Sequence, residues 1–399
     1  MYFIINVIGI IILLGVSFLL SFNKKQVAVK PIIILFVLQL ATTWFMLSTD
    51  IGGKVIQTIS DFFLWLISSS MSGVNFVFGE FAPLDGSTFT FFMNVLMPII
   101  FVVVFFDILT YFGILPALIN GIGWVFSKIT KTPRFESFYA IQVMFLGNNE
   151  ALAVTRDQLN KMNDKRLLTI AMISMSCVSA GMLGGYLQLL DAKYVLTAIP
   201  LNALGALIIT SVINPYRVTK EEDIVYSSPK SEKGNFFDMI SKSMMTGGKL
   251  ALIIAVMLIG FVSLITAANT FLGLFNDHLT LENIFGVIFA PISFLMGVEF
   301  SQIFAVGQLM GVKIVLNEFV AMTNLSEMVS SLNPHTEAVA STFLVSFCNF
   351  ATIGIILGSM QALFGDKKSN FIAKYTWLLL VSGLLVSSLT AMVVGLFVW

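Results

Sequence analysis

Two short polar motifs interrupt apolar segments of the chain and carry side chains suited to binding a solute. The first is Asn148-Asn149-Glu150, directly after Gly147, and the second is Asn317-Glu318. If these segments lie in a bilayer, each ionised carboxylate costs about 2.5–3.5 kcal/mol, so its presence requires a reason. Either each Glu is neutral or paired within helix packing, or both line a polar cavity. The motifs adjoin Asn residues and backbone breaks rather than Lys or Arg, which favours the cavity.

The Cys and His residues of the chain do not indicate a metal or cofactor site. Cys177 and Cys348 lie inside apolar runs, and His278 and His335 lie in polar connectors. Their spacing matches neither a metal-ligand pattern nor a disulfide framework. We therefore expect no metal site and no cofactor.

The composition places the chain in a membrane. Of the 399 residues, 57% are hydrophobic and 11% are charged, whereas soluble proteins carry about 25% charged residues. The mean hydropathy is +0.93, which excludes a soluble cytosolic enzyme. The net charge of +0 and the lack of a basic tract argue against a nucleic-acid partner.

Eight apolar segments each approach the roughly 20 residues that a helix needs to cross a bilayer. The first has no Lys or Arg before it, so we interpret it as a membrane helix with its N-terminus outside, not as a secretory signal. A Ser- and Gly-rich apolar stretch, 61–80, predicts an interfacial helix on the outer surface. The predicted spans are 2–20, 31–48, 92–117, 167–190, 194–213, 250–272, 338–363 and 375–398.

The distribution of charge supports this topology. With the N-terminus outside, 19 of the 22 basic residues fall in the cytoplasmic segments 24–30, 128–166, 217–249 and 367–374. The exceptions are Lys54, Lys193 and Lys313. Such a bias is what the positive-inside rule predicts, and with eight spans it places both termini outside. The outer connectors are acidic and contain Asp50, Asp61, Glu80, Asp85, Asp277, Glu282, Glu327 and Glu337.

Two apolar segments, 137–155 and 284–324, do not fit as single crossings. The first has basic residues on both flanks, so it must enter and return, with its tip at Gly147–Glu150. The second lies between acidic connectors and is interrupted at Gly297-Val298-Glu299, with Glu318 further along. Glu299 lies either near that tip or in outer water. Since polar backbone at membrane depth survives only against protein or a water-filled cavity, both segments predict re-entrant hairpins.

The order hairpin, span, span occurs twice, from opposite faces. Each hairpin precedes a helix interrupted by small polar residues, at 176–181 and 349–354. Inverted repeats with broken helices are typical of secondary transporters, whose site lies at the midplane. The predicted fold is an all-α polytopic membrane protein with eight transmembrane helices and two opposed re-entrant hairpins in an inverted repeat. Residues 1–117 would be scaffold and oligomerisation helices, with repeat halves at 118–249 and 250–399. Asp107 is interpreted as a packing group.

Three motifs resemble those of the concentrative nucleoside transporter family, in particular its bacterial proton-coupled permeases. Phe145-Leu146-Gly147-Asn148-Asn149-Glu150-Ala151 is similar to the family's first hairpin tip. Asn317-Glu318-Phe319-Val320-Ala321 matches its Asn-Glu-Phe-Val-Ala signature. The segment from Ser346 to Ile355 resembles its Phe-Ala-Asn-Phe-Ser-Ser-Ile-Gly-Ile block, and Asn214-Pro215-Tyr216-Arg217 is a weaker fourth element.

The resemblance implies a substrate site and a homotrimer in which each protomer has its own pathway. The first tip would face the nucleobase, Met182 would pack against it, and Phe347 would line the pocket. Ribose hydroxyls would be bound from the second half of the chain. The implied substrate-binding residues are Asn148, Asn149, Glu150, Met182, Glu318, Phe347, Asn349 and Thr352.

Four positions depart from the family pattern. Asn148 and Asn149 replace its usual Gln and Thr or Ser, which leaves the pyrimidine-versus-purine preference open. Val143 and Cys177 replace the Asn and Ser of sodium-coupled members, and neither offers the oxygen ligand that sodium prefers. We therefore expect proton coupling, through Glu150 first and Glu318 second.

The sequence thus predicts a proton–nucleoside symporter in the lipid bilayer of the plasma membrane. Within the same class, the alternatives are sodium coupling or a related small polar solute such as a free base. In other classes, the alternatives are an intramembrane enzyme with paired carboxylates and a passive channel. The two Glu residues have no accompanying Asp, His or metal cluster, and this argues against the enzyme.

Overall fold

A computed structural model describes residues 2–84, 90–130, 132–219, 222–223, 235–276 and 279–398, except the side chain of Asn149. Over these ranges every regular element is a helix. Three residues named above lie outside the described part of the chain, namely Asp85, Asp277 and His278. So do four basic residues of the predicted cytoplasmic segments, Lys131, Lys220, Lys230 and Lys233.

The chain begins with three long helices, α1 (Tyr2–Leu19), α2 (Val29–Ser48) and α3 (Asp50–Phe78). Helix α3 begins earlier than the predicted 61–80, because the Thr49 hydroxyl caps it by accepting from the Gly52 N–H at 2.9 Å. Its buried residues recur every three or four positions from Ile56 to Val74, so it presents one face to the protein. An interfacial position of α3 remains a prediction.

The predicted span 92–117 is wrong at its C-terminal end. A π-helical turn, Phe92–Leu96, leads into α4 (Ile99–Tyr111), and a separate helix, α5 (Ile114–Thr130), follows. Gly113 separates α4 from α5 with a φ of +80°, a conformation that glycine adopts without strain.

The first half continues through six further helices. The predicted break at Gly147 is present between α6 and α7. The predicted span 167–190 is two short helices, α9 and α10, separated by 175–179. The bounds are α6 (Arg134–Leu146), α7 (Asn148–Val154), α8 (Arg156–Lys161), α9 (Asp164–Ser174), α10 (Ala180–Tyr186) and α11 (Ala192–Ile213).

The second half has the same plan. Its first helix, α12, has 38 residues and exceeds the predicted 250–272. The predicted span 338–363 is again two helices, α16 and α17, separated by 345–349. The bounds are α12 (Phe236–Gly273), α13 (Leu281–Leu295), α14 (Ile303–Val315), α15 (Glu318–Met328), α16 (Pro334–Leu344), α17 (Phe350–Phe364), α18 (Asp366–Ala373) and α19 (Thr376–Gly395).

The structure corrects the second predicted tip. The break that corresponds to Gly147 is Leu316-Asn317, between α14 and α15, whereas 297–299 joins α13 to α14. Helix α13 packs along α14 as α5 packs along α6. The close approach of α13 requires Gly307 and Gly311 on α14, where an added Cβ would collide with α13. Glu299 therefore lies at the opposite end of α14 from Glu318, about 20 Å along a 13-residue helix.

Seven helices of the described chain are long and apolar enough to cross a membrane. Six correspond to predicted spans and the seventh is α3. The two remaining predicted spans are the broken pairs α9–α10 and α16–α17. Within their apolar windows α11 and α19 are 83% buried, compared with 17% for α2 and α12. Helices α11 and α19 therefore form the centre of the protein, and α2 and α12 its periphery.

Candidate substrate site

Four short helices form the candidate site, and each one packs against a helix from the other half of the chain. Helix α7 of the first half packs against α17 of the second. Helix α10 of the first half meets α15 of the second through Tyr186, whose ring centroid lies 5.0 Å from that of Phe319. The site is thus formed by one hairpin-like pair and one broken helix from each half, as the repeat predicts.

Glu318 is the centre of the second-half site. It begins α15, whose N-terminus is capped by Asn317 accepting from the Val320 N–H at 3.1 Å. Only 3% of Glu318 is exposed. Its carboxylate accepts from the Tyr186 hydroxyl at 2.8 Å and from the Asn349 amide at 2.9 Å. The two predicted residues Glu318 and Asn349 are therefore in direct contact.

Asn349 extends this network to Thr352. The Asn349 side-chain oxygen caps α17 by accepting from the Thr352 N–H at 2.8 Å and from the Thr352 hydroxyl at 2.9 Å. A carboxylate has about four acceptor positions, so Glu318 retains acceptor capacity beyond its two observed bonds. A carboxylate beside an amide and a hydroxyl is suited to the paired donors and acceptors of neighbouring sugar hydroxyls.

The first-half tip has a close backbone approach at Gly147 and a buried amide oxygen at Asn148. Gly147 has a φ of +89°, and a Cβ there would lie 3.0 Å from the Ser179 Cβ and 3.4 Å from Glu150 Oε2. The Glu150 side chain is thus folded toward the α9–α10 break, although Glu150 itself is exposed. Asn148 is 7% exposed, and its Oδ1 has no hydrogen-bond partner in the described part of the protein. A buried amide oxygen of this kind is a candidate for ligand binding. The backbone of Asn149 lies in α7.

The remaining predicted residues line the two helix breaks. Met182 is buried on α10, and Phe347 is half-buried between α16 and α17. Val143 and Cys177 are 0% and 2% exposed and lie at the end of α6 and in the α9–α10 break. The side chains of Val143 and Cys177 contribute no oxygen to the interior of the first half.

Sequence reasoning missed two residues of the site. Tyr186 lies one helical turn after Met182, and no sequence pattern distinguishes it from the apolar residues around it. In the sequence, Lys313 stands out only as an exception to the positive-inside rule. It is fully buried, four residues before Asn317 in α14. An isolated cation within an apolar segment was the signal that could have identified it.

The fourth motif lies outside the substrate site. Tyr216 donates to Glu136 at 2.8 Å, and Glu136 forms a two-pronged ion pair with Arg166 at 2.7 and 2.9 Å. Asn214 donates to the Lys165 carbonyl at 2.7 Å. These bonds connect the N-terminal ends of α6 and α9 to the segment after α11, so the motif stabilises the fold.

Family comparisons agree with this arrangement. Residues 194–395 and 8–81 match the models described as the C-terminus and N-terminus of Na+ dependent nucleoside transporters. Residues 92–193 match a model described as nucleoside recognition. The chain therefore belongs to the concentrative nucleoside transporter family.

Individual relatives cover the chain from end to end. It is 50% identical to the purine nucleoside transport protein NupG of Bacillus subtilis over the full length of both chains. It is 29% identical to the nucleoside permease NupC of Helicobacter pylori, over 98% of this chain and 97% of that one. The structure of CNTnw in an inward-facing substrate-bound state superimposes with a TM-score of 0.92, at 26% identity, covering 100% of this chain and 98% of the other. The protein is a nucleoside transporter of the membrane, and the enzyme alternative is wrong.

Proposed function

We propose that this transporter is a proton-coupled symporter that imports nucleosides, purine nucleosides included. The assignment of the proton as coupling ion rests on one observation: Val143 and Cys177 are both buried, and neither side chain contains oxygen. The resemblance places oxygen-bearing side chains at these positions in sodium-coupled members. A hard cation such as sodium requires oxygen ligands, so their loss disfavours sodium. The family model's own description as Na+ dependent makes sodium the competing ion.

Glu150 is the proposed proton carrier. It is exposed, beside the first tip, and forms no ion pair with the described Lys and Arg residues. A second carboxylate, Asp107, lies within electrostatic reach of it. Glu318 ranks second because its carboxylate is enclosed and already bonded to Tyr186 and Asn349.

The proposed binding mode assigns the sugar to the second half and the base to the first. Glu318, Asn349 and Thr352 would bind the ribose hydroxyls. The base would be bound by the side chains at the first tip and the apolar groups at the breaks, namely Asn148, Asn149, Glu150, Met182 and Phe347. Asn148 is one methylene shorter than the family's Gln, which leaves room for a bicyclic base. The name of the Bacillus subtilis relative supports the purine assignment.

The assembly and its movement are part of the same proposal. We infer a homotrimer in the plasma membrane, with both termini outside and 1–117 as scaffold. The two pairs α6–α7 and α14–α15 would act as re-entrant hairpins that carry the site past the scaffold during alternating access.

Uptake into proteoliposomes tests the proposal. Radiolabelled inosine and uridine would be supplied under an imposed proton gradient or an imposed sodium gradient, each alone. We expect accumulation with the proton gradient and none above the no-gradient level with sodium. Accumulation driven by sodium alone would overturn the coupling assignment and leave nucleoside transport intact. Equilibration without accumulation under either gradient would indicate a passive channel.

A further inference from the structure

Lys313 is a fully buried cation to which the proposed function gives no role. It lies in the last turn of α14 with 0% of its surface exposed. No described carboxylate lies within ion-pair distance of it. Its Nζ instead donates to three oxygens, the Phe343 carbonyl, Ser346 Oγ at 2.6 Å and Ser387 Oγ at 3.3 Å. An ammonium has three N–H donors, so these acceptors satisfy it completely.

The three oxygens belong to the second helix break and the helix behind it. Phe343 is in the last turn of α16, where carbonyls lack partners within the helix. Ser346 lies in the 345–349 break, and its hydroxyl is 2.6 Å from that of Ser387 on α19. A cation at the C-terminal end of a helix is favoured by the helix dipole. Lys313 therefore fixes the end of α16 and ties the break to α19.

Lys313 and Glu318 place opposite charges on the two sides of that break. Lys313 meets the C-terminal end of α16. Glu318, five residues later, accepts from Asn349 at the N-terminal end of α17. Each charge faces the helix end of opposite partial charge. The pair α14–α15 therefore contacts both helix ends that meet at the break, the C-terminal end of α16 and the N-terminal end of α17.

The first half has the same spacing without the charge. Val143 lies four residues before Gly147, as Lys313 lies four residues before Asn317. Val143 offers no donor to the 175–179 break. At this spacing from the tip, the second half thus has a cation where the first half has an apolar side chain.

We propose that Lys313 is a tethered cation that positions the 345–349 break so that Glu318 and Asn349 hold the spacing needed to recognise ribose hydroxyls. The inference rests on the proposed sugar-binding role of Glu318 and Asn349. Lys313 does not touch the substrate, because all three of its donors are occupied. It acts through the residues that do, and is a positioning residue.

The test compares two ligands that differ by one hydroxyl. Binding of inosine and of 3′-deoxyinosine to the purified full-length protein would be measured by calorimetry for the wild type, Lys313→Met and Lys54→Met. Lys54 is exposed on α3, so Lys54→Met removes an ammonium far from the break and serves as the control. We expect Lys313→Met to weaken inosine binding about tenfold or more. We expect a smaller effect on 3′-deoxyinosine, so the ratio of the two dissociation constants declines toward one.

Three other results would contradict the role of Lys313. Lys313→Met could leave the ratio of the two affinities unchanged, either because both ligands bind as before or because both bind equally more weakly. That result would overturn the positioning role. If Lys313→Met does not fold, Ser387→Ala retains the ammonium and removes one acceptor, and we expect a severalfold loss of discrimination in that variant. Unchanged discrimination in Ser387→Ala would then count against the inference. A wild type that binds both ligands equally would remove the sugar-binding role of Glu318, and with it the basis of the role of Lys313.

Discussion

The Tyr186 hydroxyl donates a 2.8 Å hydrogen bond to the Glu318 carboxylate, and the two residues are 132 positions apart. Tyr186 ends the second part of the first broken helix, and Glu318 begins α15 in the other half. Both side chains are buried, so this bond joins the two repeat halves inside the protein. It also orients the carboxylate assigned to the sugar.

Replacing Tyr186 with Phe tests that connection. The variant leaves Glu318 with one donor fewer, which we expect to cost about 1–3 kcal/mol of nucleoside binding, or roughly a 5- to 150-fold rise in Kd. Calorimetric titration with inosine measures it. Tyr139→Phe is the matched control, since it removes another buried hydroxyl, 2.9 Å from Ser174 Oγ. Equal losses of affinity in the two variants would contradict the specific role of Tyr186.

Glu318→Gln tests the sugar assignment directly. The amide retains the size of the side chain but loses the charge that strengthens its hydrogen bonds to hydroxyl donors. We expect uridine and inosine to bind about tenfold or more weakly, a change of about 1.4 kcal/mol or more. Binding of the free base hypoxanthine, which has no hydroxyls to lose, provides the comparison. Unaltered uridine affinity in Glu318→Gln would refute the assignment.

Glu150→Gln tests the coupling ion. The amide cannot carry a proton, so we expect nucleoside exchange to persist in proteoliposomes while accumulation driven by a proton gradient is lost. Glu327→Gln is the control, because Glu327 is exposed near the end of α15, away from the tip. Accumulation that still follows the proton gradient in Glu150→Gln would transfer the role to Glu318 or Asp107.

The sequence predicted the polar cluster around Glu318 better than it predicted the helices around that cluster. Glu318 and Asn349 stand out because polar side chains at helix breaks are conspicuous within apolar segments, whereas Thr352 follows from the family resemblance. The structure brings the three together, and their role in binding stays a prediction. The second tip was misplaced at 297–299 because Gly297 is the more obvious helix breaker. Asn317 marks the true break less visibly, because it caps the start of α15. Tyr186 and Lys313 were missed because their partners, Glu318 and Ser387, are distant in sequence and depend on tertiary packing.

His335 gives a prediction for the pH dependence of stability. Its Nδ1 lies 2.7 Å from the Val398 carbonyl, its Nε2 lies 3.3 Å from the Asn6 amide, and its ring stacks on Tyr2 at 4.7 Å. His335 therefore connects α1, α16 and the end of the described chain.

Burial lowers the pKa of His335 below its ordinary value of 6.5, in opposition to hydrogen bonds with the backbone of Val398 and Met296, which raise it. The folded state thus binds this proton less readily than the unfolded state. Its contribution to stability is complete above pH 6.5 and declines as the pH falls toward the lowered pKa. We expect the Tm of the detergent-solubilised protein to fall between pH 7.5 and 5, and the fall to be smaller in His335→Gln, which cannot titrate. An identical pH dependence in His335→Gln would show that other groups cause it, since the variant removes the only proton-binding ring at this junction of the described chain.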